Sequence, residues 1–224
     1  MRRLPALLTL VALMWLANWS LARPAWHPER IVQAAALHGA LAEHAARELR
    51  AAMDAASRSD ELSRVAAVND YYNQHLRYRD DIETWGEVDH WASPLETLQQ
   101  GAGDCEDFAI AKYFTLVAMG LPAERLRLVY VRVARGAAEG AAVQPHMVLA
   151  YYPRPQDDPV VLDNLVPDLR QAGERGDLAP VFSFNADGLW EGVGQVAVGG
   201  AGPVERLGRW RQVLAKAHDE GFFP

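Results

Sequence analysis

The spacing of apolar residues changes about halfway along the chain, from a helical period to a strand period. Before about residue 121, apolar positions mostly recur every three or four residues, which is typical of amphipathic helices. After it, apolar and polar residues alternate over short stretches rich in β-branched residues, which is typical of strands. Helices followed by strands in a chain of this size predict an α+β fold, with helices packed on an antiparallel sheet.

Four helices are predicted in the first half, each with a start signal or a clear apolar face. They span residues 28–57, 61–76, 94–100 and 104–120. Ser59 or Asp60 is the expected cap of the second helix, and Ser93 followed by Pro94 and Glu96 starts the third. Residues 77–92 mix charges with two tryptophans and fit no period, so we expect a long loop there.

Three strands are predicted in the second half, and two weaker candidates follow them. The three span 125–133, 146–152 and 160–163, and the weaker pair spans 181–185 and 189–198. The first three should pair as an antiparallel meander, with a small, flexible connection at 136–144. Near the C-terminus, apolar residues from Val204 to Ala217 share one helical face and predict a docking helix.

The first 22 residues have the composition of a secretory signal peptide. Arg2 and Arg3 precede the apolar run 4–17, and Ser20-Leu21-Ala22 supplies the small residues of a cleavage site. An uncleaved membrane anchor is the alternative, but the run is short for a span and Asn18 interrupts it. We therefore expect residues 23–224 to form a single exported domain with no membrane span after cleavage.

Charge and cysteine content narrow the function classes. The formal charge is −7, from 22 basic and 29 acidic residues, and no basic cluster suggests nucleic-acid binding. Cys105 is the only cysteine, so an exported form has no internal disulfide. Cys105 is either a small buried core residue or a reactive thiol. It follows a loop broken by Gly101 and Gly103 and begins a helix, where unpaired backbone N–H groups favour a thiolate.

A nucleophilic cysteine needs a base and a group that orients the base. His146 begins the second predicted strand and Asp163 ends the third, so a hairpin would bring the two to one edge of the sheet. The helix of Cys105, packed on that sheet, would then bring the thiol to the imidazole. Each residue also has an ordinary structural interpretation, since the chain has seven histidines and Asp163 before Asn164 suits a turn.

The block Gly103-Asp104-Cys105-Glu106-Asp107-Phe108, preceded by Trp91-Ala92-Ser93-Pro94-Leu95-Glu96, resembles the bacterial transglutaminase-like cysteine proteinases, and among them the LapG-type periplasmic proteases. The resemblance covers roughly residues 60–190. It implies a papain/transglutaminase-like fold and a Cys-His-Asp triad. Matched position by position, it gives Cys105 as nucleophile, His146 as base and Asp163 as orienting acid.

The resemblance also implies calcium, and the charges around the thiol agree. Asp104, Glu106 and Asp107 would raise the pKa of the Cys105 thiol, and a bound cation would relieve that effect. Oxygen ligands suit Ca²⁺, which takes about 6–8 of them. The alternative is that these acids only cap the helix. If calcium binds, the remaining ligands are expected from loop carbonyls, waters or one of Asp80, Asp81 and Glu83.

Acyl transfer also needs donors for the oxyanion. The Cys105 backbone N–H is the natural first donor, and Trp91 is a candidate second donor through its indole N–H, with Trp85 as its competitor. Both tryptophans have packing as an alternative role.

By resemblance, the protein is expected to be a periplasmic endopeptidase that cuts the N-terminal region of a large surface adhesin at a double-alanine-like site. The cut would release the adhesin and disperse biofilm. An inner-membrane c-di-GMP receptor is expected to sequester the protease through its periplasmic domain. Two other classes stay open: an acyltransferase with the same fold, and a non-catalytic periplasmic binding module.

Overall fold

A computed structural model of the chain describes residues 27–135, 142–194 and 204–222. Within these residues, helices from the first half pack on a six-stranded sheet from the second half, which confirms the predicted α+β architecture. The predicted signal peptide at residues 1–22 lies outside the described residues. Across the described ranges, no helix has both the length and the apolar character needed to cross a bilayer.

The helices agree with the predicted ones in all but two places, at residues 28–57 and at residues 81–84, where the sequence predicts a loop. They are α1 (Pro28–His38), α2 (Ala40–Ala56), α3 (Glu61–His75), α4 (Asp81–Thr84), α5 (Pro94–Gln100), α6 (Cys105–Ala118) and α7 (Val204–Asp219). The single helix predicted over 28–57 is wrong, because Gly39 has a φ of 114° and separates α1 from α2. A backbone angle in this region suits glycine and breaks a helix.

The helix starts follow the predicted capping signals. The Asp60 side chain accepts a hydrogen bond from the Ser63 N–H at 3.0 Å and begins α3. Ser93 and Glu96 form a reciprocal capping box at the start of α5. Gly101, with a φ of 58°, ends α5 in the left-handed region and turns the chain toward Cys105.

The strands form one antiparallel sheet and a separate short pair. They are β1 (Arg77–Tyr78), β2 (Ala102–Gly103), β3 (Leu126–Arg135), β4 (Ala142–Tyr151), β5 (Val160–Leu162), β6 (Arg170–Gln171), β7 (Leu178–Phe184) and β8 (Leu189–Glu191). The sheet order is β6-β5-β4-β3-β7-β8, which confirms the predicted meander of β3, β4 and β5.

Three strands in the second half have a boundary more than two residues from the prediction, and β6 was not predicted. β4 begins at Ala142, so the flexible connection predicted over 136–144 is wrong for its last three residues, while 136–141 lie outside the described residues. β7 begins three residues earlier than predicted. β8 ends at Glu191, and the part of its predicted range beyond residue 194 lies outside the described residues.

The predicted loop 77–92 contains two short elements that fix its position. β1 pairs in parallel with β2, and the Arg77 and Arg79 N–H groups donate to the Gly101 and Gly103 carbonyls at 3.1 and 2.9 Å. The chain then makes the single turn of α4. The loop therefore lies directly beside the segment that leads into Cys105.

Helix α6 is the centre of the fold. Its residues from Asp107 to Val117 are all buried, between α3 and α5 on one side and β3 and β4 on the other. Burying one large apolar side chain stabilises a protein by about 1.5–3 kcal/mol, so a helix surrounded on all sides is held firmly. Helix α7 docks on this core through Trp210, whose indole N–H donates to the Asn185 carbonyl at 2.9 Å.

Candidate active site

Cys105 is the first residue of α6 and lies, partly exposed, in a cleft of about 340 Å³. The lining of the cleft includes Cys105, His146, Met147, Trp91, Asp89 and Tyr130. The cleft therefore contains a thiol, an imidazole, an indole and carboxylates, with apolar side chains beside them. The sequence prediction that Cys105 and His146 would come to the same place is consistent with this lining.

The surroundings of Cys105 hold its thiol in the protonated form in the metal-free chain. Burial raises the pKa of the thiol well above its usual value, and the charges of Glu106 and Asp104 raise it further. The thiol donates a hydrogen bond to Glu106 Oε2 at 2.8 Å. A hydrogen bond from the Met147 backbone acts in the opposite direction and favours the thiolate, but it is outweighed. Burial and the neighbouring acids thus prevail over the field of the helix start.

His146 and Asp163 meet because of the register between β4 and β5. Leu149 lies opposite Leu162, so the next residue, Asp163, comes beside Val148, two residues from His146 on the same face of the sheet. His146 Nε2 and Asp163 Oδ1 are 2.8 Å apart, and both side chains are buried. Because Nε2 bonds to Asp163, Nδ1 is the ring nitrogen available to a group in the cleft.

Asp163 is held from several sides. Its Oδ1 also accepts the Leu165 N–H at 2.9 Å, and its Oδ2 accepts Arg175 Nη2 at 2.9 Å. Burial by itself raises the pKa of Asp163, but the hydrogen bond and charge of His146, with Leu165 and Arg175, lower it below its usual value. Asp163 is therefore an ionised, fixed acceptor, which is what an orienting acid requires.

Three carboxylates gather beside Cys105, on the side of the predicted loop. Asp81, Asp104 and Asp107 can each direct one oxygen into a group whose members lie within 4.8 Å of one another. One buried oxygen of each has no hydrogen-bond partner among the described residues: Asp81 Oδ1, Asp104 Oδ1 and Asp107 Oδ2. Buried carboxylate oxygens without donors are unfavourable unless a cation binds them.

The electrostatics of this cluster also fit a cation. Burial raises the pKa of Asp81 to about 6, and the charge of Glu106 contributes to the increase. The pKa values of Asp104 and Asp107 are raised too, first by burial and then by neighbouring acids. Glu106 also belongs to a second overlapping group with Asp81 and Asp89. An all-oxygen set of this kind suits Ca²⁺.

Gly103 keeps space for the cluster. A Cβ added at this glycine would lie 2.6 Å from Asp107 Oδ2, one of the oxygens without a partner. The absence of a side chain thus lets the Asp107 carboxylate approach the backbone closely. Of the three acids that the sequence left open for the metal shell, Asp81 is the one that joins Asp104 and Asp107; the Asp80 carboxylate instead accepts the Tyr78 hydroxyl at 3.0 Å.

The two tryptophans considered for the oxyanion differ in position. Trp91 lines the cleft, and its indole N–H donates to Asp89 Oδ1 at 3.1 Å, while Arg209 donates to Asp89 Oδ2 at 2.6 Å. Trp85 stacks on His90 with ring centroids 4.3 Å apart and is not part of the described cleft lining. Its location makes Trp91 the better placed of the two, although its N–H already has an acceptor.

Four residues near the site had no role in the sequence interpretation. Arg175 binds the Asp163 carboxylate, and a hydrogen-bonded group of the buried Asn69 and Lys112 with the half-buried Asn73 lies behind Asp163. The signal that could have pointed to Lys112 is its place as the only charged residue in the mostly apolar run Phe108–Val117. Arg175 lies in an irregular segment, where no pattern singles it out.

Comparison with known proteins agrees with this geometry. Residues 40–175 match the family model described as bacterial transglutaminase-like cysteine proteinase. The chain belongs to that family. The match supports protease activity, and the matched range includes Cys105, His146, Asp163 and the acids beside the thiol. No curated protein matches the chain.

Solved structures similar to this proteinase include LapG from Legionella pneumophila. That structure is 34% identical, covers 87% of this chain and 99% of its own, and superposes with a TM-score of 0.70. The EGTA-treated form gives the same identity and coverage with a TM-score of 0.72. The calcium-bound form is 34% identical, covers 84% of this chain and 98% of its own, and has a TM-score of 0.68. The transglutaminase-like fold of the proteinase is thereby established.

Proposed function

We propose that this proteinase is a calcium-dependent cysteine endopeptidase in which Cys105 is the nucleophile, His146 the base and Asp163 the orienting acid. The observation that carries the proposal is the 2.8 Å bond between His146 and Asp163, next to a cleft that the imidazole shares with Cys105. Nucleophilic catalysis by a thiol requires a nearby base and a third group that orients the base, and His146 and Asp163 supply these two groups.

The proposed reaction proceeds in two halves. His146 takes the thiol proton through Nδ1, and the Cys105 thiolate attacks the scissile carbonyl. The tetrahedral intermediate collapses, the C–N bond breaks, and His146 gives its proton to the leaving amine. Water, deprotonated by His146, then attacks the thioester and releases the acid and the free thiol.

The Cys105 backbone N–H, at the start of α6, is the proposed first donor to the oxyanion. Trp91 is the proposed second donor. That role requires its indole N–H to exchange Asp89 for the substrate oxygen when substrate binds. Its position in the cleft lining supports the proposal.

Asp104, Glu106 and Asp107, joined by Asp81, are the proposed calcium ligands. Bound Ca²⁺ would supply positive charge beside the thiol and offset the acids that hold it protonated. The three buried oxygens without partners support this assignment. The existence of a calcium-bound form of the similar LapG from Legionella pneumophila also supports it.

The proposed substrate is the N-terminal region of a large surface adhesin, cut at a double-alanine-like site so that the adhesin is released and biofilm disperses. The proposed place of action is the periplasm, reached through the predicted signal peptide at residues 1–22. The proposed regulator is the periplasmic domain of an inner-membrane c-di-GMP receptor. These three proposals follow from the resemblance of the sequence around Cys105 to the LapG-type periplasmic proteases.

The test is incubation of the mature protein with an N-terminal adhesin fragment in calcium, in EGTA, and with Cys105→Ala. We expect the wild type to cleave the fragment in calcium but not in EGTA, and we expect Cys105→Ala to cleave it in neither condition. Cleavage by Cys105→Ala would overturn the nucleophile, and full activity in EGTA would overturn the calcium role. Mass spectrometry of the products separates hydrolysis from transfer, because an acyltransferase yields a conjugate with an amine instead of two cut fragments.

A further inference from the structure

Lys112 is a charged residue in the middle of the core. It lies on α6, is 1% exposed, and its Nζ donates to Asn69 Oδ1 at 2.9 Å and to Asn73 Oδ1 at 2.8 Å. Both asparagines belong to α3. Burial lowers the pKa of Lys112 to about 7, although Asp163 and Asp70 act in the opposite direction. An apolar side chain would fill the same space without this desolvation cost, so packing alone does not account for a lysine here.

The same two asparagines also bind the segment that carries Asp163. Asn73 Nδ2 donates to the Asp163 carbonyl at 2.8 Å, and Asn69 Nδ2 donates to the Pro167 carbonyl at 2.7 Å. The segment 163–167, which follows β5, is therefore fastened near both of its ends. Neither bond uses the Asp163 carboxylate, which is left for His146 and Arg175.

Lys112 also connects this segment to the nucleophile. Cys105 and Lys112 are seven residues apart on α6, which puts them on the same helix face about 10 Å apart along the axis. The path from the thiol to the Asp163 backbone thus runs through helix α6, the Lys112 ammonium and the Asn73 side chain. Sites held in this way keep their geometry to a fraction of an ångström.

We propose that Asn69, Asn73 and Lys112 form a clamp of positioning residues that fixes the Asp163 segment relative to the Cys105 helix. The clamp acts through Asp163 on His146, and it touches neither substrate nor the reacting atoms. The proposal rests on the triad assigned above.

Asn73→Asp separates positioning from stability. The new carboxylate keeps the size of the side chain and still accepts from Lys112 Nζ, but it has no N–H for the Asp163 carbonyl and repels that oxygen. We expect a melting temperature close to that of the wild type, because the ion pair with Lys112 offsets the lost hydrogen bond. We also expect kcat on the adhesin fragment to fall by about 10- to 100-fold with KM unchanged, because small misplacements of catalytic groups have effects of this size.

Tyr72→Phe is the matched control. The Tyr72 hydroxyl and Thr115 Oγ1 are 2.8 Å apart, and the bond is buried between the same two helices without reaching the Asp163 segment. Its loss should lower the melting temperature and leave kcat within two-fold of the wild type. In an Asp163→Ala background, Asn73→Asp should cause no further loss of kcat.

Alkylation of Cys105 by iodoacetamide in saturating calcium is a second readout that needs no peptide substrate. The rate should fall in Asn73→Asp and in Asp163→Ala by similar factors, and stay unchanged in Tyr72→Phe. A wild-type rate in Asn73→Asp would overturn the clamp, whether or not the adhesin fragment is cut. Failure of the wild type to cut the fragment, with the alkylation pattern as expected, would instead count against the proposed substrate and leave the clamp supported. An equal loss of kcat from Asn73→Asp with and without the Asp163 carboxylate would also overturn the clamp.

Discussion

His146 and Asp163, which are 17 residues apart in sequence, are joined by a hydrogen bond of 2.8 Å between Nε2 and Oδ1. Both side chains are almost fully removed from solvent, at 3% and 0% exposure. In such surroundings the bond decides which ring nitrogen carries the proton, and it leaves Nδ1 as the basic one. The catalytic potential of the cleft therefore depends on a carboxylate that lies behind it.

Asp163→Asn tests this relationship. An asparagine can present its NH₂ group to Nε2, which favours the wrong tautomer of His146. We expect kcat/KM on the adhesin fragment to fall by about 10²- to 10⁴-fold, with the effect mainly on kcat. Asp168→Asn, at an exposed position just after the segment 163–167, should leave kcat and kcat/KM unchanged. A decrease in kcat/KM of less than ten-fold in Asp163→Asn would exclude Asp163 as the orienting acid.

Arg175→Met tests the support of Asp163 on its other side. The guanidinium is 3% exposed and binds the Asp163 and Asp177 carboxylates at 2.9 and 2.8 Å. Its removal leaves a buried negative charge, which costs about 3–5 kcal/mol in the free energy of unfolding. Urea denaturation in saturating calcium measures this cost.

Arg170→Met is the control for that experiment. Arg170 is about half exposed and lies 3.8 Å from Asp168, which is itself largely exposed. The expected change is below about 0.5 kcal/mol, because exposed ion pairs contribute little. Equal effects of the two substitutions would show that the Asp163–Arg175 pair does not contribute as a buried pair.

The sequence was sufficient for the parts of the site that depend on local signals. Cys105 follows two glycines and begins an apolar helix, and a meander brings His146 and Asp163 together. Asp163 follows the end of β5 as predicted, but the prediction that His146 begins its strand is wrong, because β4 already begins at Ala142. Capping residues located α3 and α5. Each of these features follows from a spacing rule or a side-chain rule that acts within a few residues.

The parts that escaped prediction depend on contacts between distant segments. Arg175 reaches Asp163 from an irregular stretch, and Asn73 reaches it from a helix 90 residues earlier. Asp81 is one of three acids that the sequence leaves open for the metal shell. The choice among them depends on the parallel pairing of β1 with β2, and two-residue strands leave no periodic pattern. No local rule fixes such pairings, because their energy comes from the assembled core.

Calcium should make the Cys105 thiol more reactive. Burial and the charge of Glu106 hold the thiol protonated in the metal-free chain, so a bound cation should raise the thiolate fraction at neutral pH. We expect iodoacetamide to alkylate Cys105 at least ten-fold faster in calcium than in EGTA. Glu106→Gln should raise the rate in EGTA, since it removes both a charge and a charged acceptor of the thiol proton.

Glu83→Gln is the control for thiol reactivity, because Glu83 is an exposed acid on α4. It should leave the alkylation rate unchanged in both conditions. An identical rate for wild type in calcium and in EGTA would mean that the acid cluster does not govern the thiol.

Asp81 should make the stability of the metal-free protein fall as pH rises. Its pKa is raised from 3.8 to about 6 by burial, so the folded chain retains a proton that the unfolded chain releases above pH 4. The stabilising contribution of this retained proton to the free energy of unfolding is therefore fully present below pH 4 and is lost between pH 4 and about 6. Asp81→Asn mimics the protonated form and should become progressively more stable than the wild type across that window in EGTA.

In calcium, the wild type should be more stable than Asp81→Asn, the reverse of their order in EGTA. A ligand at 100 times its Kd stabilises the folded state by about 2.7 kcal/mol, and the wild type should gain this while Asp81→Asn gains much less. Asp80→Asn is the control, because the Asp80 carboxylate accepts the Tyr78 hydroxyl and lies outside the group formed by Asp81, Asp104 and Asp107. It should behave like the wild type in unfolding experiments from pH 4 to 7. If calcium raises the free energy of unfolding of Asp81→Asn as much as that of the wild type, Asp81 is not a calcium ligand. The Asp81 carboxylate would then destabilise the metal-free fold without contributing to calcium binding.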